Sequence, residues 1–540
     1  MLDKLSFSFS IAPVLRVGKR LQAHLPLVLL VLLTLIAISG FVFFYTNHLG
    51  LAYNDARSHL DIGRRVVEGL KPGLAQLGSV WLPLPHLLMV PTIWNDFFWH
   101  SGLSGALQSM ISFVATGMII YYFLARLKVT LAGRLFGVAL FVANCNVLYL
   151  QSTAMTELLL LAIMTMGVYE LVHWHQEEKL IFLITSAVWI MLSTLVRYDG
   201  WFLFLYSALL VIIFGIRKRN WHVTEGLFVL FCTLAGFGIV LWLIWNAAIF
   251  SDPLYFAFGP YSAHAQQTQL ENAGVLATKG NLLFSLKIYT YALVYNSGLV
   301  PVIFAVLGLI VLLRDKAQST SVKIGVTALF APLIFNILAL YLGHSVLFVQ
   351  GLSGDTWFNI RYGIMMMPSI AIMAGFLFFK AGRFKPVIFG IFLFVTIFQF
   401  GNKDAVTIDD GRVGSSQKNV SEVSGWLNKN VTYEKGFVLI SAASHDAIIF
   451  SSGLPMKRFI HEGAGAYWRS ATTAPDRWAT WIIMRTNDEN DQTFRLVAKT
   501  GALEKYDLVQ SFPFADIYQL RDEYRTLVET EPTIPDEQKE

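Results

Sequence analysis

The sequence predicts an all-α polytopic membrane domain of about eleven transmembrane helices, followed by a small C-terminal extracytoplasmic α/β domain. Three observations predict it. The 540 residues are 55% hydrophobic and only 14% charged, with a mean hydropathy of +0.55. A soluble domain carries about 25% charged residues, so that class is excluded. Apolar stretches long enough to cross a bilayer recur through the first 400 residues. From residue 401 the composition turns polar and no such stretch remains.

The predicted spans lie near 25–47, 103–125, 131–150, 154–172, 180–196, 201–216, 226–250, 290–313, 322–348, 362–380 and 386–400. The first is too long for a signal-peptide core and lacks a small-residue cleavage site. Basic residues mark every second loop: Lys4, Arg16, Lys19 and Arg20; Arg126, Lys128 and Arg134; Lys179; Arg217, Lys218 and Arg219; Arg314, Lys316 and Lys323; Lys380, Arg383 and Lys385. By the positive-inside rule the N-terminus is cytoplasmic, the C-terminus is outside, and the intervening loops are outer ones. Cys145 and Cys232 sit in apolar runs and read as core residues, not as a disulfide or metal framework. No internal repeat is evident.

The division is therefore residues 1–400 for the membrane part, with a large first outer loop at 48–102, and 401–540 for the outer domain. In the latter, Phe437-Val438-Leu439-Ile440 and Trp481-Ile482-Ile483-Met484 read as buried strands. Helix-like patches lie near 445–452, 475–480 and 491–499. The acidic, proline-containing tail after about 525 reads as disordered.

The first outer loop carries the most informative residue, Asp55. It precedes a segment, Ala56 to Leu70, with helical periodicity. Ala56, Leu60, Gly63, Val67 and Leu70 share one face; Arg57, Asp61, Arg64, Arg65 and Glu68 lie mostly on the other. That pattern predicts a helix lying in the membrane interface. After Lys71-Pro72-Gly73, the run Trp81 to Pro91 is apolar but cut by three prolines, which predicts a second interfacial or re-entrant helix. Asp55 has two readings here. It is a helix N-cap, or it is a carboxylate for chemistry, as a general base or a ligand for a divalent cation (Mg or Mn).

Other outer helix ends carry charges too. Glu157 opens the fourth span, Arg197-Tyr198-Asp199-Gly200 joins the fifth and sixth, and Arg361 opens the tenth. Each has a structural reading: an acid at a helix N-terminus, a local ion pair, a snorkelling arginine. Arg361 also suits bidentate contact with a phosphate. The long outer loop 251–289 holds Tyr255, Tyr261, His264, Gln266 and Gln267. Aromatics with amides suit carbohydrate, and the same composition suits an interfacial belt. His59 and His86 are equally open between structure and binding.

An aspartate soon after the first span, two interfacial helices in the first outer loop, an acid at an outer helix end and a late Arg361-Tyr362 together resemble the GT-C superfamily of integral-membrane glycosyltransferases. The likeness covers roughly residues 25–400. It is greatest to the branch of protein O-mannosyltransferases and bacterial aminoarabinose transferases, and the outer α/β domain resembles that superfamily's soluble appendages. The resemblance implies an inverting transferase with a polyprenyl-phosphate-linked sugar as donor and a glycan, lipid or protein as acceptor, working in plasma-membrane lipid and without nucleic acid. It implies Asp55 as the catalytic base or metal ligand. Glu157, Arg197, Asp199, Arg361, His59, His86 and Tyr261 would bind donor or acceptor. One departure stands out. The aminoarabinose branch carries a Lys-Pro-Pro element after the first interfacial helix, where this chain has Val80-Trp81-Leu82-Pro83-Leu84-Pro85-His86. Two other classes stay open: a transporter or lipid-linked sugar flippase, which would gather polar residues at the midplane, and a membrane sensor, for which the cytoplasmic loops are short.

Overall fold

The structure is a computed structural model. It describes residues 12–533 except 260, 261, 273, 414–416, 432–435 and 527. Its membrane part contains α1 (Ala12–Thr46), the loop helices α2 (Asn54–Val67) and α3 (Leu84–Ile93), then α4 (Leu103–Arg126) and α5 (Leu131–Val142). There follow α6 (Glu157–Glu177), α7 (Leu180–Thr194), α8 (Asp199–Lys218) and α9 (Trp221–Phe250). After the 251–281 loop come α10 (Leu282–Ser297), α11 (Leu299–Arg314), α12 (Ala331–Leu342), α13 (Met367–Lys380) and α14 (Lys385–Asn402).

The eleven predicted stretches all fall on helices. Among the described residues, eight helices are long and apolar enough to cross a membrane, or nine if one bent pair counts as a span. The chain is thus a multi-pass membrane protein. The stretches at 131–150 and 180–196 yield helices of 12 and 15 residues. At 1.5 Å per residue these fall short of a hydrocarbon core about 30 Å thick. The first breaks because the Asn144 side chain caps a new short helix by accepting from Val147 N. The stretch at 290–313 is broken at Gly298, where α10 and α11 meet at 107°. Gly298 has φ +84°, a backbone position that glycine adopts without strain.

Burial ranks the helices. α6 and the segment Ile360–Lys380 are the most enclosed spans, whereas α1, α9 and α14 present most of their surface outward, as lipid-facing helices do. The centre of the bundle therefore holds the two elements that begin with Glu157 and, one residue in, Arg361.

Beyond α14 the chain forms α15 (Val406–Val413) and α16 (Gln417–Asn430), then a five-stranded sheet. The strands are β1 (Phe437–Ile440), β2 (Phe459–Ile460), β3 (Ala479–Met484), β4 (Tyr506–Ser511) and β5 (Asp516–Leu520), in the order β2-β1-β3-β5-β4. β1 runs parallel to β2 and β3, and β5 is antiparallel to β3 and β4. The fully buried runs of β1 and β3 fit central strands. Of the tail, Glu529 accepts from Arg477; residues 534–540 lie outside the described residues.

The helix α17 (Ala442–Ser451) of this unit packs on α2. The polar face of α2, expected at the water–lipid interface, is therefore covered by protein, and Asp61 and Arg64 are buried. Arg65 pairs with Asp446 of α17 at 2.8 Å, and Trp99 Nε1 donates to Asp61 Oδ1 at 3.1 Å. Burial and the neighbouring Asp446 raise the Asp61 carboxyl well above the usual range. Asp446 lies beside it, so two acids share this interface.

Candidate active site

Asp55 sits in the first turn of α2, but the helix is capped by neither Asp55 nor Asn54. The N-cap position is Tyr53, in extended conformation and without a side-chain capping bond. The Asp55 carboxylate turns instead to Arg361: Nη2 donates to Oδ2 at 2.5 Å. The capping reading of Asp55 is thereby replaced by an ion pair.

Arg361 is held on other edges as well. Its Nε donates to Glu157 Oε1 at 3.0 Å, and its Nη1 faces Asp410 Oδ2 of α15 at 3.9 Å. Tyr53 donates its hydroxyl to the same Asp410 oxygen at 3.1 Å. The rings of Tyr53 and Tyr362 lie 4.9 and 5.4 Å from the guanidinium carbon, within cation–π range.

Arg197 approaches Glu157 from the other side. Its Nη1 lies 3.2 Å from Oε1 and its Nε 3.4 Å from Asp199 Oδ2. Asn336 of α12 donates to Asp199 Oδ1 at 3.3 Å. Tyr362 also stacks against Arg197, at 4.9 Å, so one ring separates two guanidinia. The Glu157 side chain has no exposed surface, and among the described residues its Oε2 has no hydrogen-bond partner.

Five of the residues singled out from the sequence thus meet: Asp55, Glu157, Arg197, Asp199 and Arg361. His59 follows Asp55 by one helical turn, and its Nδ1 is 2.8 Å from His86 Nε2. Burial, with the nearby charges of Arg197 and Arg361, lowers His59 to about 3 and keeps it neutral. Trp81 packs on His59 with ring centroids 4.3 Å apart. The loop carrying Trp81 is docked beside the arginine turn, since Tyr198 donates to Val80 O and Leu84 N donates to Leu195 O. Of the 251–289 residues, Tyr255 stacks on Phe250, and Tyr261 lies outside the described residues.

Asp410 and Tyr53 were not singled out from the sequence, and Tyr362 only as the neighbour of Arg361. The signal for Asp410 is the acid pair Asp409-Asp410 close behind the last apolar stretch. That stretch leads into the C-terminal unit, which hides a residue that folds back onto the bundle.

Four carboxylates face two guanidinia here. Buried charges are costly to desolvate and hold only when paired and hydrogen-bonded. A buried charge cluster of this size at one end of a bundle is a functional-site signature. Among the described residues no group of three or more His, Cys, Asp or Glu side chains is placed to hold a metal ion. Arg361 itself occupies the space between Asp55 and Glu157.

Neither a protein-family model nor a curated protein matches the sequence. Solved structures do. ArnT from Cupriavidus metallidurans bound to undecaprenyl phosphate matches with a TM-score of 0.52 at 10% identity, covering 90% of this chain and 98% of that one. Its apo form matches with a TM-score of 0.52 at 11% identity, covering 92% and 100%. The Archaeoglobus fulgidus oligosaccharyltransferase, in complex with Zn and sulfate, matches less well, with a TM-score of 0.48 at 11% identity over 90% of this chain and 72% of that one. Across about nine-tenths of its length the chain has the fold seen in ArnT.

Proposed function

We propose that this chain is an inverting membrane glycosyltransferase that moves a sugar from a polyprenyl-phosphate donor to a glycan, lipid or protein acceptor. The observation that carries the reading is the ion pair between Asp55 and Arg361. It sets a partly exposed carboxylate beside a phosphate-binding guanidinium, at the end of a bundle with lipid-facing helices. The fold adds support, since one ArnT structure was solved with undecaprenyl phosphate bound.

In this reading Arg361, with Arg197 behind it, binds the donor phosphate. The acceptor hydroxyl or amine attacks the anomeric carbon from the side opposite the phosphate. A new bond forms to that carbon, and its bond to the phosphate oxygen breaks. The electron pair leaves with the phosphate, and the acceptor proton passes to Asp55. Configuration inverts because attack and departure are on opposite faces. Arg361 stabilises the charge that grows on the leaving phosphate. Glu157 and Asp199 orient the two arginines, and the His59–His86 pair with Trp81 lines the acceptor side. The distribution of basic loops supports a site on the outer face of the plasma membrane, with the C-terminal unit on the same side.

The test is incubation of the purified protein with labelled polyprenyl-phosphate sugars and membrane extract. Labelled acceptor and released polyprenyl phosphate are expected. Movement of the labelled lipid across liposomes with no new glycosidic bond would overturn the reading in favour of a flippase.

A further inference from the structure

The contacts of Arg361 are unequal. Glu157, on Nε, is fully buried, and Asp410, facing Nη1, is 3% exposed. Asp55, on Nη2, is 42% exposed and is the most open member of the cluster. The buried side is also tied down. Asn146 Oδ1 accepts from both Thr407 N and Thr407 Oγ1, at 3.0 and 2.8 Å, which fixes α15 and with it Asp410. Asn146 Nδ2 donates to Asn296 O at 3.0 Å, and Asn296 Nδ2 donates to Ile360 O at 2.6 Å, next to Arg361. A guanidinium so seated keeps its place when its open edge changes partner.

The residue expected to take the acceptor proton and the residue expected to take the donor phosphate are therefore bound to each other. They cannot both work in that state, because Asp55 Oδ2 is committed to Nη2 and its carboxylate covers the open side of the guanidinium. A partly exposed ion pair is weak enough to be exchanged, whereas the buried contacts are not.

We propose that the Asp55–Arg361 pair is a latch opened by the donor: the phosphate displaces the Asp55 carboxylate from Arg361 Nη2 and leaves Asp55 free to act as base only while the donor is bound. This rests on the reading of the chain as a polyprenyl-phosphate-dependent transferase. Binding is then ordered, donor before acceptor. No covalent bond changes in the exchange; one anion replaces another on the same N–H.

The test uses the purified full chain in detergent and a long-chain polyprenyl monophosphate without sugar as probe. In wild type the carboxylate competes with the probe. Asp55→Asn removes that competitor, so the probe binds about tenfold more tightly although transfer is lost. Asp410→Asn removes a charge from the buried side of the same guanidinium without freeing Nη2, and gives no comparable gain. Asp55→Ala, checked for a monodisperse elution profile, repeats the measurement should Asn disturb folding. Equal or weaker binding by the Asp55 variants overturns the latch, and so does an equal gain in Asp410→Asn, which marks a bulk charge effect. Absence of probe binding to wild type overturns the transferase reading itself.

Discussion

Arg361 Nη2 and Asp55 Oδ2 are hydrogen-bonded across 306 positions of sequence, so the start of α2 and the start of the enclosed segment Ile360–Lys380 meet at one charged contact. Around that contact Glu157, Arg197, Asp199 and Asp410 complete a network in which each guanidinium touches more than one carboxylate.

Asp55→Asn is expected to lower transfer by about 10²–10⁴-fold, the usual size of a general-base contribution. The side chain is partly exposed, so the variant should still insert and fold. Transfer of labelled sugar by equal amounts of wild type and variant measures this; an unchanged rate would remove Asp55 from the chemistry.

Glu157→Gln should act mainly on stability. Arg197 and Arg361 share Oε1 of this fully buried carboxylate, and the amide leaves them without its charge. Breaking a buried pair from one side costs about 3–5 kcal/mol, which should appear as a clear drop in the thermal unfolding midpoint in detergent.

Gly363→Ala probes the turn that presents Arg361. A Cβ there would lie 2.2 Å from Ala292 O and 2.5 Å from its carbonyl carbon, so the turn or α10 must move. A cost of about 1–3 kcal/mol is expected, together with weaker polyprenyl-phosphate binding. Gly401→Ala, where no atom lies within 4 Å of the added carbon, is the control and should be silent in both assays.

Asp61→Asn tests the joint between α2 and α17. The Asp61 carboxyl is raised in the folded state by burial and by Asp446, so above the unfolded value, about 3.9, the folded chain binds more protons than the unfolded one. Stability from this group is full below that value and is lost as pH rises through the folded one. Asparagine stays neutral throughout. The midpoint of wild type relative to Asp61→Asn should therefore fall as pH is raised; a constant difference would refute the raised Asp61 carboxyl.

The membrane helices were legible because burial in lipid demands long apolar runs, and composition alone reports them. What broke the runs was less visible: Asn144 acting as a cap and Gly298 at positive φ each stop a helix with one residue in an otherwise apolar stretch. Asp55 and Arg361 could be picked out as charges at helix ends, yet their partnership was hidden, since nothing local in either segment encodes a contact so distant in sequence. Asp410 escaped for a related reason. The polar face of α2 misled because a helix covered by α17 and one facing lipid headgroups need the same pattern of charges. In the sheet, β1 and β3 announce themselves as continuous apolar runs, whereas β4 is an edge strand with its central residues exposed and carries no such mark.

The span of 306 positions also sets a timetable for biogenesis. At translation rates of 5–20 residues per second, Arg361 emerges roughly 15–60 s after Asp55, and the Asp410 helix later still. Through that interval Asp55 waits without the guanidinium it meets in the folded chain. The charge cluster is thus incomplete until the last membrane helices are in place.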